Sequence, residues 1–373
     1  KSINYYKDWK LKWGGNIQLS NYFNATQNLS TGINYNTEIE FYKYGLFANG
    51  SRSFFNNRLD FSIGFRVDED TFTTGSNFLD NFSPRTSLSY AISEDRKWKW
   101  NTSIGKYYKM PTYTMLGYQN NNGQYLNKNN KYTESIHYVT GVDYNITNSS
   151  KISLEAFIKK YDNFPVSVID QVSLANKGGD FEVLGNEEVR STGKGKTYGI
   201  EALFQQKLTN NFYGIFSYTY FHSKFSGFTS EYLPSVWDSR HLVSFSNGYK
   251  LNNNWELSSR LRFAGKTPYV PYDLNASMMN YPEMILDYSR LGEEKLDNFS
   301  QLDIRVDKKW NKENISVSFY FEILNILAQK TPLPPEYGLN RDSNGSIINP
   351  LELTEIDINR NTPIPTFGFS LDF

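Results

Sequence analysis

Apolar and polar residues alternate along most of this chain with a period of two. The C-terminus shows it without a slip: Phe367, Phe369, Leu371 and Phe373 fall on one face, and Thr366, Gly368, Ser370 and Asp372 on the other. A period of two means an extended strand with one face in an apolar medium and one in a polar medium. Arg58–Val67 repeats the pattern, with Leu59, Phe61, Ile63, Phe65 and Val67 set against Asp60, Ser62, Gly64, Arg66 and Asp68. Strands are predicted over Trp9–Phe23, Thr37–Phe55, Arg58–Val67, Ser83–Ile92, Lys97–Tyr108, Thr133–Ile146, Lys151–Tyr161, Thr197–Leu208 and Asn211–Lys224. They continue with Asp238–Leu251, Asn254–Ala264, Phe299–Trp310, Asn314–Ile326 and Ile364–Phe373, and Ile3–Tyr6 reads as the tail of one more. That makes about fourteen strands, nearly all well beyond the roughly five to six residues of an ordinary soluble strand.

The connections alternate in length. Lys7-Asp8, Asn56-Asn57, Ser93–Arg96, Thr147–Ser150, Thr209–Asn210, Asn252–Asn253 and Asn311–Glu313 are short. Asn24–Asn36, the stretch from Glu69 to about Asn81, Lys109–Tyr132, Asn163–Lys196, Phe225–Trp237, Gly265–Asn298 and Leu327–Pro363 are long. Short turns at one rim and long loops at the other are the rhythm of an outer-membrane barrel. Trp9, Trp13, Trp98, Trp100, Trp255 and Trp310 all lie within a few residues of a short turn, and Trp237 alone borders a long loop. Indoles gather at membrane interfaces, so they mark the periplasmic girdle. The fold class expected is all-β, a transmembrane antiparallel β-barrel filling residues 1–373 as one piece.

Composition narrows the partners. The chain carries 39 Lys and Arg against 39 Asp and Glu, a net charge of zero that argues against nucleic acid. The mean hydropathy is −0.59 and no run approaches the roughly 18 apolar residues of a spanning helix, yet a barrel needs only every second residue apolar. Cysteine is absent, which removes disulfides and thiol chemistry. The opening KSINYYKDWK has no apolar signal segment, so the chain is expected to begin inside a longer export-directed product.

The polar faces are charged. Asp60, Arg66, Arg85, Glu155, Lys159, Glu201, Glu256, Arg260, Arg262, Asp303, Arg305, Asp307 and Glu322 fall opposite the apolar set. A closed core would not hold so many charges, whereas a watered or plugged lumen would. They are expected to line that lumen, and their mixed signs point to pairing across the wall more than to substrate binding. Phe369 and Phe373 are read as the C-terminal signal for barrel assembly.

Other motifs are weaker. Gly195-Lys196-Thr197 resembles the end of a phosphate loop, but Arg190 stands where glycine is needed and a strand follows, so Gly193 and Gly195 are read as bending a loop into that strand. The 340–352 loop, with Asn340, Asp342, Asn344, Gly345 and Glu352, resembles a Ca2+ loop, with Glu352 one place beyond the bidentate position. An Asn-Gly turn is the alternative, and turn chemistry favours it. His137, His222 and His241 have no metal spacing, and His222 and Ser223, as strand neighbours, point to opposite faces. No enzyme activity and no resident cofactor are expected. Loop stretches rich in Tyr and Asn, such as Tyr113–Tyr125 and Tyr269–Tyr281, suit ligand capture at a barrel mouth as well as plain surface exposure.

At this point the residues resemble the C-terminal part of a TonB-dependent outer-membrane transporter. Ser83-Pro84-Arg85 leading to Tyr90, then Ile104-Gly105-Lys106-Tyr107-Tyr108 with Met110-Pro111, resembles the family's sPR…Y and s.gyr.P strand pair. Glu134-Ser135 before Gly141, Tyr198-Gly199-Ile200-Glu201, and EILNIL at Glu322–Leu327 resemble later strands, and Phe373 fits the last. The Asn- and Tyr-rich loops suggest a Bacteroidetes-type member. The resemblance implies a Gram-negative outer-membrane location and energised uptake of a large scarce ligand: a ferric siderophore, cobalamin, a glycan or a peptide. It implies outer-membrane lipid, a TonB-type energy-coupling complex acting through a region before Lys1, the barrel-assembly machinery and a surface lipoprotein as partners. Such transporters have a plug and about 22 strands. Here the plug and the first strands are missing, so the chain is expected to be the C-terminal portion of a longer protein. A self-contained passive channel of about fourteen strands, or a barrel serving as an anchor or subunit of an outer-membrane assembly, are the alternatives.

Overall fold

The computed structural model describes residues 2–28, 33–177, 185–356 and 361–373. Its strands, in chain order, are β1 (Ser2–Tyr6), β2 (Trp9–Asn28), β3 (Ile33–Phe54), β4 (Leu59–Asp70), β5 (Ser83–Ala91), β6 (Trp98–Lys109), β7 (Thr133–Asn145), β8 (Ser150–Ser167) and β9 (Val189–Thr209). They continue as β10 (Phe212–Ser226), β11 (Leu233–Pro234), β12 (His241–Leu251), β13 (Trp255–Ala264), β14 (Phe299–Asn311), β15 (Ser316–Leu324), β16 (Glu336–Leu339), β17 (Leu353–Ile356) and β18 (Ile364–Asp372). Two short helices, α1 (Tyr113–Leu116) and α2 (Leu274–Asn280), lie in long loops. The main sheet runs β1-β2-β3-β4-β5-β6-β7-β8-β9-β10-β12-β13-β14-β15-β18, with β11 added to β10, and β16-β17 form a separate hairpin.

The short turns explain themselves chemically. Asn56 and Asn57, Asn210 and Asn211, and Asn253 and Asn254 all have positive φ. Asparagine tolerates that region best among residues with a side chain, and paired left-handed residues give the tight reversal that matches strand twist.

Several strands outrun their apolar pattern. β2 and β3 stay paired from Ala25↔Asn36 to Asn28↔Ile33, where a loop was expected. Beyond the apolar band the alternation stops, but backbone groups still need partners, so the ladder continues without its sequence signal. Gly193 and Gly195, expected in a bend, lie inside β9. A Cβ on Gly195 would meet the Phe225 ring at 2.3 Å, and one on Gly193 would meet the Phe164 carbonyl at 2.8 Å. These glycines admit a close neighbour and do not turn the chain. β11 and the β16-β17 hairpin had no period to reveal them. Parts of three expected loops, 29–32, 178–184 and 357–360, lie outside the described residues.

Contacts group the chain into two units. The first comprises 1–143, 155–199 and 222–236, and the second 144–154, 200–221 and 237–373. In the first unit, register places Leu46 opposite Val67, Ala48 opposite Phe65 and Phe61 opposite Leu88 on one face. Its other face carries Ser51 opposite Ser62 and Ser53 opposite Asp60. In the second unit the apolar row runs Leu257↔Val306↔Phe321↔Phe367, and Phe319 meets Phe369. Phe367 and Phe369 are each 78 % exposed, which in water would be costly and in hydrocarbon is not.

The two ends of the strands differ in their aromatics. Trp13, Trp98, Trp100, Trp255 and Trp310 are exposed near the short turns. Near the long loops several Tyr rings pair with His. Tyr198 stacks on His222 at 5.1 Å, and in the second unit Tyr218 and Tyr220 lie against His241 at 6.1 and 5.1 Å. His222 and His241 thus pack against tyrosine rings. His137 lies instead against Tyr107, at 4.6 Å.

Candidate functional site

The polar face of the first unit is built in two levels. Near the short turns, four strands place serines directly opposite one another: Ser51↔Ser62, Ser62↔Ser87 and Ser87↔Ser103. One step along, Asp60 stands opposite Ser89 and Ser89 opposite Asn101. These rows and Glu155 line a cavity of about 550 Å³. Ser53 Oγ donates to Asp60 at 2.5 Å, and Asn101 Nδ2 donates to Asp143 at 3.0 Å. Small hydroxyls keep this wall low and leave donors and acceptors for whatever packs against it.

The sequence-derived candidates on this face pair locally. Arg66 grips Asp68, two residues on, and reaches Asn16 at 2.9 Å. The Arg85 guanidinium sits 4.7 Å from the Tyr107 ring, which in turn lies against His137, so one stack crosses three strands. Lys159 approaches the Phe157 ring at 5.3 Å. Asp60 and Glu155 share the cavity, whereas Arg66 and Arg85 meet at a smaller hollow of about 230 Å³.

Near the long loops the same face is a folded core. The loop after β6 lays Leu116, Tyr113 and Tyr125 onto Ile39 and Phe41 of β3, with Tyr22 and Phe72 beside them. Leu116 is fully buried and Ile39 and Phe41 nearly so. Phe41 meets Tyr113 edge-on at 5.5 Å and Phe72 meets Tyr125 at 5.2 Å. Lys43 Nζ donates to the Tyr113 hydroxyl at 2.6 Å. Burial pushes that phenol up, but the hydrogen bonds with Lys43 and Ser20 and the ammonium's charge together hold it below its usual value.

Buried amides hold this roof. Asn127 donates to the Met115 and Glu187 carbonyls at 2.9 and 2.7 Å and accepts from Val189 N at 2.9 Å. Asn130 donates to the Val189 carbonyl at 2.9 Å. Asp70 accepts from Phe72 N, Thr73 N and both the Thr73 and Tyr132 hydroxyls. Burial first, and then the Asp70 carboxylate, push the Tyr132 phenol far above its ordinary range. The Tyr- and Asn-rich stretch here is thus packed inward. Composition showed the residues, but not that the inner ends of β2 and β3 turn apolar at Tyr22, Ile39 and Phe41. That break in the polar alternation was the available signal.

The polar face of the second unit is a charge ladder. Asp303, 2 % exposed, accepts from Arg260 Nη2 at 2.8 Å, Gln301 Nε2 at 2.7 Å and Asn325 N at 2.9 Å, and Arg262 stands 3.8 Å away. Arg305 binds both oxygens of Asp307, at 2.8 and 2.7 Å, and its guanidinium lies 3.9 Å from the Tyr320 ring. Glu322 is directly opposite Arg305. Glu256 accepts from the Tyr213 hydroxyl. Glu201 stands exposed on β9. Most of these candidates are therefore tied to one another.

No group of three or more His, Asp or Glu able to hold a metal occurs among the described residues. In the 340–352 loop, Asp342 Oδ1 accepts from Asn344 N and Ser346 N, both at 2.9 Å, and Gly345 has φ +83°. The carboxylate closes a turn, as turn chemistry favoured.

No curated protein sequence matches the chain. Among solved structures it is similar to the outer membrane transporter YddB from Escherichia coli, with TM-score 0.59 and 13 % identity over 99 % of this chain and 53 % of that one. It is similar to the copper transporter OprC, with TM-score 0.63 and 13 % identity over 100 % and 54 %. It is similar to the pyoverdine outer membrane receptor FpvA from Pseudomonas aeruginosa PAO1, with TM-score 0.62 and 14 % identity over 100 % and 51 %. The chain spans about half the length of these proteins, and at such identities the likeness is one of fold. The family model for "TonB dependent receptor-like, beta-barrel" matches residues 2–326. The chain, with its sixteen-stranded sheet, therefore belongs to the TonB-dependent receptor β-barrel family, a family of the Gram-negative outer membrane whose members are receptors and not enzymes.

Proposed function

We propose that this chain is the barrel wall of an energised outer-membrane importer for a large scarce ligand. The observation that carries the reading is the family match over residues 2–326. The serine rows leave hydrogen-bonding capacity along a wall of low relief, which suits a domain packed against it. Asp60, Arg66, Arg85 and Glu155 of the first unit, and Glu201, Arg260, Arg262, Asp303, Arg305 and Glu322 of the second, are proposed as lumen-lining. Phe369 and Phe373 are proposed as the assembly signal, and a TonB-type partner as the energy source. Among ferric siderophore, cobalamin, glycan and peptide, similarity to a pyoverdine receptor favours the first.

The test uses the full-length protein in its own cells. Deleting its gene should slow growth on one limiting nutrient, iron supplied as ferric siderophore first. Deleting the energy-coupling partner should reproduce that defect. In planar bilayers the purified protein should show no steady conductance. Normal growth on all four nutrient classes, together with a steady ohmic pore, would instead favour the passive channel.

A further inference from the structure

We propose that the lipid-facing side of the second unit pairs with a second copy of this chain through an amide set in the middle of the membrane. On β12 the outward residues are Val243, Phe245, Asn247 and Tyr249. Opposite them on β13 stand Phe263, Leu261, Ser259 and Leu257. The inward set between them includes Ser244, Ser246, Arg260 and Arg262. Of the eight outward residues only Asn247 and Ser259 are neither apolar nor aromatic, and they are directly opposite each other. Asn247 Nδ2 donates to Ser259 Oγ at 2.8 Å.

That one bond does not satisfy the pair. The amide has two N–H groups and a carbonyl oxygen, and the serine hydroxyl has a hydrogen of its own. Among the described residues neither side chain has a further hydrogen-bond partner. One N–H, the Asn247 Oδ1 and the Ser259 hydroxyl hydrogen are left to be matched. Outward hydroxyls of the first unit are closed within the wall instead. Thr86 Oγ1 donates to the Ser62 carbonyl and Thr102 Oγ1 to the Val139 carbonyl, both at 3.1 Å. Depth makes the difference costly. β13 has 10 residues, Trp255–Ala264, a length that crosses the hydrocarbon once when the strand is tilted. Ser259 lies halfway along it, so Asn247 is at mid-membrane too. Acyl chains offer it no hydrogen bond, and neither water nor a headgroup reaches that depth.

The chemistry of the pair selects a second copy. Copies of one outer-membrane protein insert in the same direction, so a two-fold axis relating two of them runs along the membrane normal. Residues at that axis meet their own counterparts at their own depth, and the group there has to complement itself. A carboxamide does so, each N–H giving to the other's carbonyl oxygen, whereas a carboxylate or an ammonium would repel its copy. The surroundings allow the approach. Gly214 on β10 is opposite Asn247 and adds no side chain, and Ser259 on the other side is small. The amide thus lies in a shallow row between the bulkier Phe216, Phe245 and Leu261 and the bulkier Phe212, Tyr249 and Leu257. Those flanks supply packing, and the amide supplies direction.

The measurement is crosslinking of the full-length protein in its own outer membranes. The chain has no cysteine, so Phe245→Cys introduces one beside the amide without touching it. A short bis-maleimide should then give a dimer-sized band, whereas Phe321→Cys, on the outward face of β15, should give none. Adding Asn247→Leu to Phe245→Cys should lower the dimer by about threefold or more, the scale of a hydrogen bond between membrane segments. Asn247→Gln, which keeps the amide, should retain most of it. Leucine suits a lipid-facing site, and heat-modifiable migration checks that each variant is folded. Ser259→Val, which removes the hydroxyl and should also lower the dimer, decides alone if Asn247→Leu fails to fold. Equal crosslinking with and without the amide overturns the proposal. So do equal bands from Phe245→Cys and Phe321→Cys, and adducts formed only with a different protein. The outcome is independent of which ligand is imported.

Discussion

The polar faces of the two units solve the same problem in opposite ways. Each needs to satisfy polar groups on the inside of a long-stranded wall. The first unit covers the loop-side end of its face with a folded loop core, where Leu116, Ile39 and Phe41 are buried and Asn127 and Asn130 bond inward. The second leaves its face as a ladder of ion pairs, Arg260–Asp303 and Arg305–Asp307. A packed roof draws its stability from excluded water and fails locally when a contact is removed. A charge ladder draws on partly solvated pairs, is screened by salt and fails gradually.

The sharpest way to break the comparison is Leu116→Ala. A fully buried leucine truncated to alanine loses about 2–4 kcal/mol. Because it sits in a loop that docks on the wall, the loss should open the 110–132 segment and leave the barrel standing. Hydrogen exchange and protease nicking in that segment should rise sharply in native outer membranes while heat-modifiable migration is unchanged. Fast exchange of 110–132 in the wild type would mean that the roof is not a fixed part of the wall.

Asp303→Asn attacks the ladder. It leaves Arg260 and Arg262 without their shared counter-charge, although Gln301 and Asn325 can still bond the amide in part. A buried pair broken on one side costs several kcal/mol, but these guanidinium groups are nearly half exposed, so about 2 kcal/mol is expected. The midpoint of urea unfolding from detergent should fall by that amount, and the deficit should shrink at high salt. A deficit insensitive to salt would mean that Asp303 acts through its hydrogen bonds and not its charge.

What the chain disclosed in advance follows the same division. Wherever strands face lipid, the period of two is forced, and Arg58–Val67 and Ile364–Phe373 were legible to within a few residues of β4 and β18. The ladder was legible too, because charges such as Asp303 and Arg305 fall opposite apolar neighbours with no other use for their parity. The roof was not. Its residues Tyr113 and Leu116 lie in a loop with no period, and their partners Ile39 and Phe41 are far off in sequence. Long-range docking of an aperiodic loop leaves only a weak local trace, here the apolar break on the inner side of β3.

The smallest effect is expected inside the ladder, at Gly368. Tyr320 stands directly opposite Gly368, and its ring covers that residue so closely that a Cβ there would come within 2.5 Å of it. The ring cannot simply lift, since the Arg305 guanidinium lies 3.9 Å from its centre and is itself held by both oxygens of Asp307. Gly368→Ala should therefore cost about 1–2 kcal/mol by forcing the ring off its seat, despite alanine being the better strand residue. Tyr320→Leu removes the ring and with it most of the clash. In the double variant the alanine should then be nearly free, giving a coupling of about 1 kcal/mol in a double-mutant cycle read from unfolding midpoints. Additive losses would separate the glycine from the tyrosine and show that the stack of Arg305 on Tyr320 does not organise this end of the ladder.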